Sequence, residues 1–178
     1  MRRTTRVKRR IDFWTPDRMR SVWLQYAYEI RARAKKAQLR GNNWRGFHVG
    51  QSSLCVDWHG VYHVIDSANW KPNEVSRHCA EEEPIAVCIQ NGWLLLYMAV
   101  AAGEQRDDFT QIWWDATEPC GKSCRPSMHE ETRRPDGVIR PLCRLDLINL
   151  ETNYIRETDF EEMLTVFGHL PEKGAAGK

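Results

Sequence analysis

Apolar residues recur at helical spacing in the first part of the chain and at strand-like spacing in much of the rest. The first helical stretch follows Thr15, which we expect to cap it, with Pro16 at the first helical position. Its apolar stripe runs from Val22 to Ala37, and the helix is expected to end near Gly41. This pattern predicts an amphipathic helix that covers one face of a sheet.

Strand-like segments follow this helix. Residues 47–56 and 61–65 are apolar runs separated by a polar, turn-like segment at 57–60, which predicts a β-hairpin. The most apolar run of the chain, residues 93–101, predicts a central strand that is buried on both faces. Residues 141–150 predict a further strand, and a polar turn and a short strand are expected after it.

Two more helices are predicted. One follows residues 79–81, tolerates Pro84 within its first turn, and stops at Gly92. The other begins near Thr158 or Asp159, either of which can cap it.

Two segments lack the hydrophobic periodicity of a helix or a strand. Pro126 indicates that any helix there begins late or is broken, so residues 125–137 are expected to be irregular. Residues 110–118 are expected to add a strand with buried tryptophans. Alternatively, Trp113 and Trp114 form a pocket wall on which a base stacks.

The length and charge of the chain bear on its domain organisation and on its possible partners. The chain has 178 residues, which fits one domain, and it has no apolar run of membrane-spanning length and no signal-peptide pattern. We assign residues 1–14 to a basic arm, 15–170 to the single domain and 171–178 to a flexible tail. Residues 1–40 carry thirteen lysines and arginines, which can bind nucleic-acid phosphates or simply form a solvated surface.

The six cysteines divide into two groups. One group lies in apolar stretches and is predicted to be core: Cys55, Cys88 and Cys143. The other group is better used for metal binding in a reducing compartment than for disulfides: Cys79, Cys120 and Cys124. This usage leads us to expect a cytoplasmic protein.

The second cysteine group has the residue types of a hydrolytic zinc site. Three thiolates can hold Zn²⁺ with one position open for water, and Glu81 lies two residues after Cys79 as a candidate proton shuttle. The alternatives are unrelated buried thiols or a structural zinc knuckle, which a fourth ligand such as His78 or His129 would close.

A Cys-Ala-Glu motif at residues 79–81, followed by Pro-Cys and Cys at positions 119, 120 and 124, resembles the zinc deaminases. The resemblance is to the all-cysteine branch of the cytidine/deoxycytidylate deaminase superfamily. It implies a cytidine deaminase-like α/β fold: a three-layer α/β/α sandwich with a central mixed five-stranded sheet, and Zn²⁺ between two helix N-termini. Two departures stand out. Glu82 replaces an arginine common in the family, and three residues rather than two separate Cys120 from Cys124.

The resemblance also implies a substrate pocket. Phe47, Val49 and Gly50 match a Phe-x-Val-Gly run of cytidine deaminases, whose phenylalanine lies against the pyrimidine. Ala80, between the metal ligand and the acid, belongs to the same predicted pocket.

Sugar recognition is the weakest part of the resemblance. Nucleoside deaminases carry an Asn-x-Glu that holds the base edge and the sugar hydroxyls, and this sequence has none. Ala68 and Trp70 stand at the corresponding places, and Asn69 is the nearest suitable residue if the register has shifted. Trp70 and Asn69 are therefore candidate substrate-binding residues.

The implied reaction is hydrolytic deamination of cytosine in cytidine, deoxycytidine or a modified cytosine nucleoside. Zinc-activated water would attack C4, with Glu81 as proton shuttle. A second hypothesis is a cytosine deaminase that acts on single-stranded RNA or DNA, and a third is an inactive, zinc-stabilised binding protein. Relatives assemble as homo-oligomers, so a dimer or tetramer is expected.

Overall fold

The computed structural model describes residues 13–43, 47–73, 75, 78–103, 119–120 and 123–166. Within these ranges the helices are α1 (Pro16–Gln38), α2 (Glu82–Asn91), α3 (Cys124–Arg133) and α4 (Phe160–Val166). The strands are β1 (Asn42–Asn43), β2 (Val49–Val56), β3 (Tyr62–Ala68), β4 (Trp70–Lys71), β5 (Leu94–Ala102), β6 (Ile139–Asn149) and β7 (Ile155–Asp159).

The main sheet among the described residues has five strands in the order β3-β2-β5-β6-β7. β5 and β6 run parallel, and the other neighbouring pairs are antiparallel, so the predicted mixed sheet is confirmed. The predicted hairpin is the β2–β3 pair. β5 lies at the centre, and all nine of its residues are buried, as its apolar run predicted.

Helices cover both faces of the sheet, which confirms the three-layer architecture. On one face α1 packs Ile30 and Ala34 against a core that includes Leu54. On the other face Met128 of α3 and Phe160 of α4 belong to a second core cluster, together with residues of α2.

Gly50 shows how closely α1 approaches the sheet. A Cβ atom at this position would lie 2.0 Å from the backbone nitrogen of Gln38 and 2.5 Å from the carbonyl oxygen of Ala34. Only glycine allows two backbones to come this near without a shift of the helix.

The predicted helix ends are largely confirmed. Thr15 caps α1, since its Oγ1 accepts a hydrogen bond from the Arg18 amide at 3.4 Å. α2 stops at Gly92, which has the left-handed φ of 65°. At the start of α4, Asp159 Oδ1 accepts from the Glu162 amide at 2.7 Å.

One expectation was wrong: residues 125–137 are not irregular throughout, because α3 spans Cys124–Arg133. Pro126 is the third residue of this helix. An amide in the first turn has no intrahelical acceptor, so proline removes no backbone bond there.

The three cysteines predicted as core are fully buried: Cys55, Cys88 and Cys143. Residues 1–12 of the basic arm, the tail at 171–178 and the segment 110–118 with its tryptophans lie outside the described residues. In the part of the chain that is described, no helix combines the length and apolar character needed to cross a membrane.

Candidate metal centre

Three cysteine sulfurs converge at one point of the fold. The Sγ atoms of Cys79, Cys120 and Cys124 all lie within 4.8 Å of one another. Two of the separations, from Cys79 to Cys120 and from Cys120 to Cys124, are 3.5 Å. Zn–S bonds of about 2.3 Å in a tetrahedral site place sulfurs about 3.8 Å apart. The cluster therefore fits a zinc ion in both donor type and spacing.

Cys79 is held between a β-bridge and the start of α2. Trp70 and His78 exchange backbone hydrogen bonds of 2.9 and 3.0 Å just before it. The Cys79 amide donates to Glu82 Oε2 at 2.9 Å, and the Glu82 amide donates to the Cys79 carbonyl at 3.2 Å. This reciprocal pair fixes the cysteine backbone at the entrance to the helix.

Cys120 and Cys124 flank the turn into α3. The Arg125 amide donates to the Cys120 carbonyl at 3.1 Å, and Cys124 is the first residue of the helix. The starts of α2 and α3 both adjoin the sulfurs, where the helix dipoles favour thiolate. Hydrogen bonds from Cys124 and Cys79 hold the pKa of Cys120 below its ordinary value, and the bond with Cys120 raises the pKa of Cys124.

Glu81 lies beside the sulfurs in the interior. It is 5% exposed, and its Oε2 is 3.6 Å from the Cys124 Sγ. Burial raises the pKa of Glu81 to about 7. A carboxyl group of this kind can take up or release a proton near neutral pH.

Among the described residues, Lys71 of β4 is a cation whose pKa responds to the cluster, and the sequence did not point to it. Its ammonium is near enough to Cys79, Cys120 and Glu81 for their charges to act on its pKa. Partial burial would lower the pKa of Lys71, but the nearby Cys79, Cys120 and Glu81 outweigh this effect and raise it. Lys71 therefore sits as a positive charge beside groups that become negative.

Ser123 is a second residue that sequence reasoning missed. Its Oγ lies 3.2 Å from the sulfur of Cys120, 3.6 Å from that of Cys79 and 4.0 Å from that of Cys124. The sequence contained a signal for it, because the extra residue between the last two cysteines changes what the turn presents to the metal.

Phe47 and Val49 pack in or against the core cluster that includes two of the three cysteines, Cys79 and Cys124. Val49 is 6% exposed, and the half-buried Phe47 packs against the core cluster that also contains Cys79 and Ala80. The structure thus brings the predicted ring-contacting residues to the same core cluster as the sulfurs. Their contact with a substrate remains a prediction.

Asn69 is tied to the backbone next to Phe47. Its side-chain Nδ2 donates to the Phe47 carbonyl at 2.9 Å, and its Oδ1 accepts from the Val49 amide at 2.9 Å. The residue is 2% exposed. These contacts make Asn69 a clamp on the segment that carries Phe47, whatever it does toward a sugar.

Trp70 and Ala80 occupy contrasting positions. Trp70 is 52% exposed, so its ring lies at the surface near the bridge to His78. Ala80 is fully buried, and its carbonyl accepts a hydrogen bond from Ser67 Oγ at 2.5 Å. Their roles as substrate contacts remain predictions.

A buried polar chain supports the turn that carries Glu81. Ser53 Oγ donates to Gln51 Oε1 at 2.7 Å, and Gln51 Nε2 donates to Ser67 Oγ at 2.6 Å. Ser67 then holds the Ala80 carbonyl, as described above. Because Ala80 directly precedes Glu81, this chain connects the middle of the sheet to the acid.

Comparisons with known proteins support the fold. No family model matches the sequence, and a search of curated proteins finds no significant match. Fifteen chains from solved structures do match. One is the 1.6 Å crystal structure of cytidine deaminase from Burkholderia pseudomallei, which is 19% identical, with 82% of this chain and 96% of that chain covered and a TM-score of 0.54. At this identity the likeness shows a shared fold.

Proposed function

We propose that this protein is a zinc-dependent hydrolase that removes the exocyclic amine from a cytosine ring. The observation that carries the proposal is the buried Glu81 carboxyl, whose Oε2 lies 3.6 Å from Cys124 Sγ at a cluster of three sulfurs. Three protein ligands with an adjacent proton-transfer group are typical of catalytic zinc sites, whereas structural sites are usually closed by a fourth ligand. The fold shared with a cytidine deaminase agrees with this assignment.

Each residue of the cluster has a role in this proposal. Cys79, Cys120 and Cys124 would hold zinc, which supplies a Lewis acid at an open coordination position. Glu81 would accept one proton from the water that attacks C4 and pass it to the ring nitrogen. It would then take the second proton from the new C4 hydroxyl and pass it to the leaving amine, so that water and cytosine give uracil and ammonia.

The proposed substrate is cytidine, deoxycytidine or a modified cytosine nucleoside. Phe47 would lie against the pyrimidine, with Val49 and Ala80 behind it. Asn69 supports Phe47 through its two backbone bonds. No Asn-x-Glu is available for the sugar, so sugar recognition would differ from that of nucleoside deaminases that carry this motif.

Single-stranded RNA or DNA is the second candidate substrate. The specific observation that favours it is the engagement of Asn69 with the backbone, together with the exposed ring of Trp70 at the neighbouring position. An exposed tryptophan can stack on a base without any sugar-specific contact.

The test is a product assay on the zinc-loaded protein with cytidine and with a cytosine-containing oligonucleotide. Glu81→Gln is the matched control, because it keeps the shape of the side chain and removes its proton transfer. We expect uracil product from one substrate with the wild type, and a loss of at least a hundredfold with the variant. Equal activity in both proteins would rule out Glu81 as the shuttle. Absence of product from both substrates, with zinc bound, would favour the binding-protein hypothesis.

A further inference from the structure

The turn between the last two cysteines directs a hydroxyl at the sulfur cluster. Ser123 Oγ approaches all three sulfurs within 4.0 Å and comes nearest to Cys120, at 3.2 Å. This serine is the residue immediately before Cys124, in the three-residue spacer of the motif. The hydroxyl is therefore placed by the same turn that places two of the sulfurs.

Ser123 is also the N-cap residue of α3, yet its side chain makes no capping hydrogen bond. Serine is favoured at this position because its oxygen normally accepts from the second or third amide of the helix. Here the second amide, that of Arg125, donates to the Cys120 carbonyl at 3.1 Å. The third residue is Pro126, which has no amide hydrogen. The two backbone amides that usually donate to a capping serine are therefore not available here, and the Ser123 hydroxyl lies next to the sulfurs instead.

We propose that Ser123 is a positioning residue of the metal site, whose hydroxyl donates a hydrogen bond to the Cys120 sulfur when metal is bound. Zinc with three thiolates carries one formal negative charge, and a donor to one sulfur stabilises that charge. Cys120 is the suitable acceptor because it is the nearest of the three sulfurs and the half-buried member of the cluster. The inference rests on the zinc binding proposed above and is independent of the substrate.

Zinc affinity tests this role without any activity measurement. The wild-type chain is titrated with zinc against a competing chelator, beside Ser123→Ala, Ser123→Thr and Ser127→Ala. We expect Ser123→Ala to bind zinc about 10- to 100-fold more weakly, the usual effect of removing a partner of a metal ligand. Ser123→Thr keeps a hydroxyl and should retain affinity, and Ser127→Ala controls for serine loss on the same helix. Unchanged affinity in Ser123→Ala would overturn the proposal.

Cobalt substitution separates a hydrogen-bond donor from a fourth ligand. Loss of the hydrogen bond in Ser123→Ala should move the sulfur-to-cobalt charge-transfer band to lower energy, with little change in intensity. If the serine oxygen itself occupied a coordination position, Ser123→Ala would instead change the cobalt d–d bands, because the metal would lose a ligand. That result would overturn the donor role.

Thermal unfolding of the metal-free proteins tests the remaining alternative, a purely structural cap. Because no capping bond is present, metal-free Ser123→Ala should unfold at the wild-type temperature. A lower unfolding temperature with unchanged zinc affinity would assign Ser123 to the helix rather than to the metal. If the wild type itself fails to bind zinc, the proposed function fails as well. If the wild type binds zinc and Ser123→Ala binds it equally well, this inference fails while the proposed function stands.

Discussion

Arg31 on α1 donates a hydrogen bond from Nε to Oδ2 of Asp146 on β6 at 2.6 Å, joining residues 115 positions apart in the sequence. Asp146 is fully buried and also accepts hydrogen bonds from Tyr97 Oη and Arg144 Nε. Glu157 of β7 pairs with both arginines. The buried carboxylate is thereby neutralised and saturated with donors, and α1 is attached to the sheet by a charged contact.

Replacing Asp146 should be much more harmful than replacing one of its partners. Asp146→Asn leaves Arg31 and Arg144 without their shared buried counter-charge, so we expect a loss of about 3 kcal/mol in the free energy of unfolding. Arg31→Met should lose about 1 kcal/mol, because Arg144 and Tyr97 still satisfy the carboxylate. Urea denaturation measures both, with the exposed Arg20→Met as control. A larger loss in Arg31→Met than in Asp146→Asn would contradict this account.

Lys71 is expected to strengthen metal binding through its charge. Lys71→Met removes the cation whose pKa responds to the Cys79 sulfur while keeping a side chain of similar length, and zinc affinity should fall at least about tenfold. Lys71→Arg should preserve most of the affinity, and the exposed Lys36→Met should have no effect. Chelator competition at constant ionic strength measures all four proteins. Equal affinity in Lys71→Met and the wild type would show that this charge does not matter.

Asn69 is expected to affect stability even without substrate. Asn69→Ala leaves the Phe47 carbonyl and the Val49 amide without their side-chain partners, so unfolding should require about 2 kcal/mol less. Asn69→Asp keeps the acceptor for Val49 but places a buried carboxylate oxygen against the Phe47 carbonyl, so it should be destabilised at least as much as Asn69→Ala. Urea denaturation of the metal-free proteins is the measurement. Wild-type stability in Asn69→Ala would mean that the clamp is energetically unimportant.

Asp57, at the turn of the β2–β3 hairpin, is expected to make the stability of the protein depend on pH in the acid range. Burial alone would raise the pKa of Asp57, but hydrogen bonds from His63 and from the amides of Val61 and His59 outweigh it and lower the pKa to about 2. A depressed folded-state pKa stabilises the protein above the unfolded value of about 3.9, and this contribution is lost as the pH falls toward 2.

The matched variant is Asp57→Asn. The wild type should be the more stable protein at pH 5, and its advantage should shrink between pH 4 and pH 2. Urea midpoints across this range report the difference. A difference that stays constant with pH would mean that the Asp57 carboxylate has no titration-linked role.

The fold was predictable where one residue type decides the local conformation. Thr15 and Pro16 located the start of α1, and Gly92 located the end of α2, because capping and left-handed backbone are local properties. Pro126 misled the prediction because proline breaks a helix in its interior but is tolerated in its first turn. The local sequence did not show that α3 begins at Cys124, two residues before the proline.

The candidate site was predictable only in its central group. Motif spacing pointed to the three cysteines and Glu81, which the structure brings together. Lys71 lies on the short strand β4, whose partner β1 lies far away in the sequence, so no local pattern revealed that the charge of Cys79 acts on it. For Ser123 the sequence offered only the extra residue between the last two cysteines, and the structure shows that its hydroxyl lies 3.2 Å from the Cys120 sulfur.

The approach of Cys79 to Cys120 joins positions 41 apart in the sequence. A metal held by both would link these distant positions in the folded protein and would be released on unfolding. Its stabilising effect would therefore grow with the free metal concentration and would not be set by the length of the loop. The proposed catalytic ion would therefore also act as a reversible cross-link between the starts of α2 and α3. The free energy of unfolding would rise with the concentration of free zinc.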